Sequence, residues 1–303
     1  MSEANRVAER SPTAEQAAWP RISVVTPVFN QARYVEQTIR SVLDQSYPDL
    51  EYIIIDGGST DGTVDIIRRH EDRLAYWVSE PDQGPYDAIN KGFARSTGEI
   101  MAWLNGDDVY MPYALRTVGS VFRQLPEVAW LSTSMPIGIT AEGVIDAWFN
   151  IRCCKTWFYR GWHLHNTPSF KGWIMQESTF WRRTLWAQAG GALDGEFRLA
   201  GDYELWSRFW RHADLAMIPV PLACIRHHPA QRSADYAAYV CDAERVWRRD
   251  GSPEPFWSRL VREIPSCLSR LAPAAHRYTD VFVSLWWDGA GGRWRVRGER
   301  MVV

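Results

Sequence analysis

The chain has 303 residues, 46% hydrophobic and 23% charged, which suits one large domain or two ordinary ones around a sizeable core. A formal net charge of −2 gives no global basic field of the kind that draws nucleic acid. Five cysteines, an odd count with no C-x-x-C pair, argue against a disulfide framework or a zinc site and fit a reducing compartment.

Residues 1–20 mix charged and small side chains, lack the apolar segment of a secretory signal, and read as a disordered leader. Arg21–Thr26 is then a short β-branched strand ended by Pro27, and Tyr34, Val35, Ile39, Val42 and Leu43 recur at helical spacing up to Tyr47-Pro48. Glu51–Ile55 is a second strand, followed by the turn-rich run Asp56–Gly62 and a helix through Val64, Ile66 and Ile67. Leu74–Val78, Tyr86–Ser96 and Ile100–Leu104 continue the alternation as strand, helix and strand. Apolar strands alternating with helices predict a mostly parallel, Rossmann-like central sheet with helices on both faces: an α/β fold.

Ligands of such sheets bind beyond the carboxyl ends of the strands. The polar clusters fall there: Asn30 after the first strand, Asp56 after the second, Glu80 and Asp82 after the third, Asn105–Asp108 after the fourth. Beyond residue 125 the pattern is mixed and aromatic. A helix is expected over 202–212, with Leu205, Trp206 and Phe209 on one face. The apolar run Leu215–Ile225 is too short to span a bilayer and is broken by Pro219 and Pro221, so a cytoplasmic protein is expected. The segment 257–303 holds eight arginines against four acidic residues and carries Trp286-Trp287 and Arg293-Trp294-Arg295-Val296-Arg297. It reads as an α-helical, amphipathic tail whose Trp and Arg suit a lipid headgroup interface. The implied segments are a leader (1–20), a donor-side unit (21–125), an acceptor-side unit (126–240) and the tail (241–303).

Asn105-Gly106-Asp107-Asp108 offers two carboxylates at a strand end, oxygen ligands suited to Mg²⁺ or Mn²⁺ bridging phosphates. In isolation it is equally good turn chemistry. In Asp56–Thr63 the spacing Gly57-x-x-x-x-Gly62 imitates a phosphate loop, but Thr63 stands where that loop needs Lys. Ser59, Thr60 or Asp61 also suits a helix cap there. Adjacent Cys153-Cys154 reads as two buried small hydrophobes rather than a redox pair.

Taken together, Thr26-Pro27-Val28-Phe29-Asn30, Asp56–Thr63, Glu80-Pro81-Asp82-Gln83-Gly84, Tyr86–Gly92 and Trp103–Asp108 resemble, in order and spacing, the family 2 glycosyltransferases of the GT-A fold. The resemblance continues through Gln176–Arg183, Gly190–Asp194, Ala200–Arg208 and Arg226–Ser233, covers about residues 21–235, and leaves the tail outside. It implies an inverting transfer from a nucleotide-diphosphate sugar, a UDP-sugar as the default, to a hydroxyl acceptor that is a saccharide or lipid-linked saccharide. A setting in bacterial surface-polysaccharide assembly, at the inner face of the cytoplasmic membrane, goes with that reading.

The same resemblance implies residue roles. Thr26, Pro27 and Phe29, with Asn30 and Ser59, would lie at the nucleobase, and Asp56 at the base or ribose. Asp87, Asn90 and Lys91 would sit near the nucleotide. Asp107 would hold ribose or sugar, Asp108 would bind the metal, and Asp202 would be the general base. His228, also a metal candidate, and Arg232 would lie over the diphosphate. Three departures stand out: Gly57 where many relatives carry a second acid, Asn105 where many carry Asp, and Gly201 where Glu often precedes the base. Glu204 is a rival base, and His227 a rival for His228. Trp162, Trp173 and Trp181 are candidates to stack an acceptor sugar. A sugar-phosphate nucleotidyltransferase is the second enzymatic reading, weakened by Pro27–Gln31 where a Gly-rich basic loop belongs. A non-catalytic nucleotide-sugar-binding scaffold is the third.

Overall fold

A computed structural model of the protein describes residues 18–164, 172–251 and 279–302. The first half alternates as expected: β1 (Ile22–Val28), α1 (Val35–Leu43), β2 (Leu50–Asp56), α2 (Thr63–Arg68), β3 (Tyr76–Ser79), α3 (Pro85–Arg95) and β4 (Ile100–Trp103). Next come β5 (Val109–Tyr110), α4 (Ala114–Gln124), β6 (Trp130–Thr133), β7 (Ile137–Thr140), β8 (Ile145–Trp148), α5 (Lys155–Tyr159), β9 (Phe180–Arg182), α6 (Arg183–Gln188) and α7 (Gly201–Phe209). The chain ends with β10 (Leu215–Ile218), β11 (Ala223–His227), α8 (Tyr236–Asp250), β12 (Thr279–Asp288) and β13 (Arg293–Val302).

Nine strands form one sheet in the order β13-β12-β10-β6-β9-β4-β1-β2-β3. The pairs β1/β2, β2/β3, β1/β4, β6/β10 and β10/β12 are parallel, whereas β9 runs antiparallel to both β4 and β6 and β13 runs antiparallel to β12. This sheet draws strands from all three segments beyond the leader. A smaller sheet, β5-β11-β7-β8, lies at the strand ends.

The period of two sorts side chains onto opposite faces. Ile53, Ile55, Met101 and Trp103 pack under α3, α6, α7 and α8. Tyr52, Ile54, Ile100 and Ala102 pack under α1, α2 and α4. In α1 the buried residues Val35, Thr38, Ile39, Val42 and Leu43 follow helical spacing, so one stripe faces the sheet. α3 approaches β1 so closely that a Cβ at Gly92 would lie 2.4 Å from Val25 Cγ1, a contact only glycine permits. Trp103, Trp130, Trp181 and Trp206 build the centre of one core, with ring centroids 5.5–6.0 Å apart along the contacts that link them. Cys153 and Cys154 are buried and unbonded, as read from the sequence.

Two expectations are corrected. The tail between 279 and 302 is a β-hairpin, not a helix, and β12 lies beside β10 in the main sheet. The run of Trp and Arg hides a strand covered on both faces: Phe282 packs into one core, Leu285 and Trp294 into the other, and the indole of Trp294 reaches Ser120 on α4. Helix within 241–303 is confined, among the described residues, to α8, and residues 252–278 lie outside them. Trp181 is fully buried among the other core indoles and cannot stack on an acceptor. No helix among the described residues is long and apolar enough to cross a membrane.

Candidate functional site

The carboxyl ends of β1, β2 and β4 carry loops that are laced together. Asp56, the last residue of β2, is wholly buried, and its carboxylate accepts from the backbone of Gly58 and Ser59 at 3.1 and 2.9 Å and from the Ser59 and Ser79 hydroxyls at 2.5 and 2.6 Å. The loop after β1 is joined to this turn: Asn30, in the left-handed region at φ 51, donates its N–H to Ser59 Oγ at 2.7 Å and accepts from Thr60 at 2.9 Å. Asp61 caps the other side, accepting from Ala32 and Thr63. Thr26 is buried against the Tyr52 hydroxyl at 3.0 Å, and Pro27 is buried with it. Phe29, by contrast, is 59% exposed at the rim. Asp56, Asn30 and Ser59 thus hold the rim in shape, and Phe29 is its open apolar surface.

In the middle of α3, Lys91 is paired with Glu80 at 3.2 Å and Asp87 at 3.3 Å. Asn90 bonds Leu193 through both ends of its amide, at 3.0 and 2.8 Å, joining α3 to the Gly190–Asp194 turn. Gly57 leaves room for Asp82: a Cβ there would meet Asp82 Oδ2 at 2.7 Å.

The Asn105–Asp108 loop is held from β11. Arg226 is buried; its Nε donates to the Asp107 carbonyl at 2.7 Å, its terminal nitrogens to Thr140, Ala141 and Gln37, and its backbone N–H to Asp108 Oδ1 at 2.9 Å. Asp108 also accepts from Asn105 Nδ2 at 3.2 Å. Burial, and then the charges of Asp107 and Glu177, hold the Asp108 carboxyl well above the usual carboxylate range. Asp107 points the other way, and its Oδ2 lies 2.9 Å from His228 Nε2. The His228 ring packs on Tyr34 with centroids 4.6 Å apart, while His227 turns outward to Asp146. His228, not His227, therefore belongs to the loop. Asp107 and His228 are the adjacent carboxylate and imidazole of the site, both 9% exposed.

Gln176 and Glu177 form a single turn behind this loop. Gln176 accepts from Asn105 at 3.1 Å and donates to the Trp103 carbonyl at 2.7 Å. Buried Glu177 is pushed up to about 7 by burial, with the charge of Asp202 adding to it. Glu177 is within electrostatic reach of both Asp108 and Asp202 and so links the two halves of the site.

Asp202 lies in the first turn of α7 and is partly exposed. Burial raises its carboxyl to about 6 against the opposing pull of the Tyr203 N–H, the Tyr239 hydroxyl and Arg232. That is a carboxylate tuned toward neutral pH. Arg232 sits over the Tyr86 ring at 5.1 Å and donates to the Arg198 carbonyl. Glu204, two residues along α7, faces the opposite way: it is buried and gripped by Arg208 and Arg249 at 2.6 and 2.7 Å. Both Glu204 oxygens are engaged by these two guanidiniums, so Glu204 ties α7 to α8 rather than facing an acceptor. The open cleft on that side, about 470 Å³, is lined by Arg208, Arg211 and Arg249, each paired with Glu204 or Asp250. Trp173 is partly buried against Tyr239, and Trp162 lies on Trp157.

The sequence did not single out Arg226, Glu177 or Tyr239. Arg226 and Glu177 sat inside quoted motifs, but their importance is burial, which spacing does not reveal. Tyr239 lies outside every motif.

Residues 23–177 match the family model described as glycosyl transferase family 2, and the chain belongs to that family. An uncharacterized glycosyltransferase of Mycobacterium tuberculosis is 42% identical over 210 residues, 68% of this chain and 73% of that protein. A putative teichuronic acid biosynthesis glycosyltransferase of Bacillus subtilis is 44% identical over 92 residues, which are 29% of this chain and 36% of that protein. Among solved structures, a mannosyltransferase from Pyrobaculum calidifontis in complex with GDP-Man and Mn2+ superposes with TM-score 0.56 at 22% identity, covering 84% of this chain and 71% of that one. Residues 1–349 of S. aureus TarS in complex with UDP-GlcNAc superpose with TM-score 0.55 at 16% identity, covering 71% and 61%. These likenesses show the GT-A-like fold. The chain spans about a third of the length of the Bacillus relative and three-fifths of the TarS fragment.

Proposed function

We propose that the protein is an inverting glycosyltransferase that moves a sugar from a nucleotide-diphosphate sugar, a UDP-sugar by preference, to a hydroxyl of a surface-polysaccharide acceptor. The observation that carries this reading is the 2.9 Å contact of Asp107 with His228, residues 121 positions apart, at the ends of strands whose other loops are laced together around Asp56. In this reading Phe29 covers the base, the Asp56 turn and Asn30 fix the rim, and Arg232 lies toward the diphosphate.

One carboxylate and one imidazole fit a divalent cation that completes its shell with phosphate oxygens and water, the usual habit of Mg²⁺ and Mn²⁺ at nucleotides. This shifts the ligand role from Asp108, whose oxygens are taken by Arg226 and Asn105, to Asp107 with His228. A bound cation would stabilise the charge of the leaving diphosphate. Asp202 takes the acceptor proton, a contribution of ~10²–10⁴ in rate.

The teichuronic acid biosynthesis relative supports a surface-polysaccharide setting, and the TarS and Pyrobaculum complexes, with UDP-GlcNAc and GDP-Man, support a nucleotide-diphosphate sugar as donor. Contact with a lipid surface through the tail has a specific handle in Trp286 and Trp287, 45% and 48% exposed on the hairpin. Vesicle flotation of W286A/W287A against the wild type reads that contact.

Asp202→Asn should abolish transfer and leave UDP binding unchanged in calorimetry. Undiminished transfer by D202N sinks the base assignment, and full turnover without any divalent cation sinks the metal reading.

A further inference from the structure

The motif region of the chain supplies Asp202, but what holds its carboxylate comes from elsewhere. Tyr239 Oη lies 3.2 Å from Oδ1 and 3.2 Å from Oδ2 of Asp202. A hydroxyl equidistant from both oxygens donates to the carboxylate as a unit and fixes its plane. Tyr239 belongs to α8, which lies beyond the last of the motifs, Arg226–Ser233.

The placement of α8 is itself well determined. Its Asp235 side chain caps the first turn by accepting from Ala238 at 3.1 Å. Asp242 accepts from the Leu199 N–H at 3.0 Å, one residue before α7 is capped, and Ala243 and Val246 are buried against the core. Residues 239, 242, 243 and 246 fall on one helical face. The Tyr239 ring is held edge-on to Trp173 with centroids 5.0 Å apart.

We infer that Tyr239 is a positioning residue for the reaction, holding the Asp202 carboxylate in the orientation and ionised state from which it accepts the acceptor's proton. This rests on the reading of Asp202 as the base. The other groups facing Asp202 do not duplicate the role. From α3, the Tyr86 hydroxyl is engaged with the Leu199 carbonyl at 2.5 Å and the Gly201 N–H at 2.9 Å. Arg232 acts through charge, Glu177 opposes ionisation, and the Tyr203 N–H belongs to the helix start.

A donor to the charged form lowers a carboxyl's titration midpoint, so removing it raises the midpoint. The test is a ¹³C NMR titration of the protein labelled at aspartate carboxyl carbons, with D202N assigning the resonance. Tyr239→Phe should raise the Asp202 midpoint by roughly one pH unit. Tyr236→Phe, one turn earlier, removes a hydroxyl bonded to Trp173 at 3.1 Å and should leave the midpoint where it is. An unmoved midpoint in Y239F, or an equal shift in Y236F, overturns the inference. Thermal unfolding of both variants verifies that each is folded. No donor or acceptor is needed, so the outcome is independent of whether D202N loses transfer, which judges the base assignment alone.

Discussion

Arg226 shows how much of the site depends on a side chain buried behind it. Its guanidinium reaches the carbonyls of Asp107, Thr140 and Ala141 and the Gln37 side chain, and its charge rests on the Tyr34 face at 5.1 Å. Arg226→Ala would leave several buried acceptors without donors, each worth about 1–3 kcal/mol. The expected loss is ~3 kcal/mol or more in urea unfolding, with metal-dependent donor binding lost as well. Normal stability in R226A would contradict this account of the loop. Asp202 makes the opposite kind of prediction. Its folded carboxyl titrates at about 6, above the ordinary aspartate value, so the folded state binds the proton more tightly than the unfolded chain. Stability therefore falls as pH rises from about 4 to about 6 and stays reduced above that window. Asp202→Asn removes the penalty. Its Tm should match the wild type near pH 4 and exceed it by roughly 5 °C at pH 8. Equal Tm values at both pH values would show that Asp202 is not strained toward neutrality.

The elements repeat that division between what a pattern carries and what only packing decides. From β1 to β4 the strands and helices were readable because both periods are clean: Val35, Ile39 and Val42 mark a helix, and the Glu51–Ile55 run marks a strand covered on both faces. The strand ends then located Asn30, Asp56 and Asp107 without further information. Beyond residue 125 the aromatics blur both periods. Of the three candidate sugar platforms Trp181 is interior while Trp162 and Trp173 are partly buried, and the core indole Trp206 contacts Trp103, Trp130, Trp181 and Phe209. Trp206→Ala should cost about 3–5 kcal/mol in equilibrium unfolding. A loss under 1 kcal/mol would mean that the indole cluster is not the core described. The different surroundings of Asp107 and Asp108 were likewise invisible, since only the fold shows that Asp108 accepts from the Arg226 N–H and Asp107 meets His228. So was the hairpin, where Trp and Arg imitate an amphipathic helix although Phe282 and Leu285 pack into opposite cores.

At the scale of the whole molecule, the nine-stranded sheet ties the two ends of the chain together. The hairpin extends it through β10 and is clamped to α4 by Trp294 N–H to Gln124 at 2.9 Å. Removing residues 279–303 uncovers the edge of β10 and deletes the buried Phe282, Leu285 and Trp294. At about 1.5–3 kcal/mol for each buried side chain, the truncation should lower Tm sharply and promote association in size-exclusion chromatography. An unchanged Tm and a monodisperse monomer would show the hairpin to be dispensable. The loops after β1, β2 and β4 of this sheet meet the end of β11 from the smaller sheet, and the account stands or falls on what binds there. The most direct test is thermal unfolding across a panel of nucleotide-diphosphate sugars, with and without Mn²⁺, for the wild type and His228→Ala. The account predicts that one nucleotide series raises Tm only with Mn²⁺, as ~3 kcal/mol of stabilisation at 100 times Kd requires, and that H228A loses the rise. Flat curves across the panel, or a rise that H228A retains in full, would contradict it.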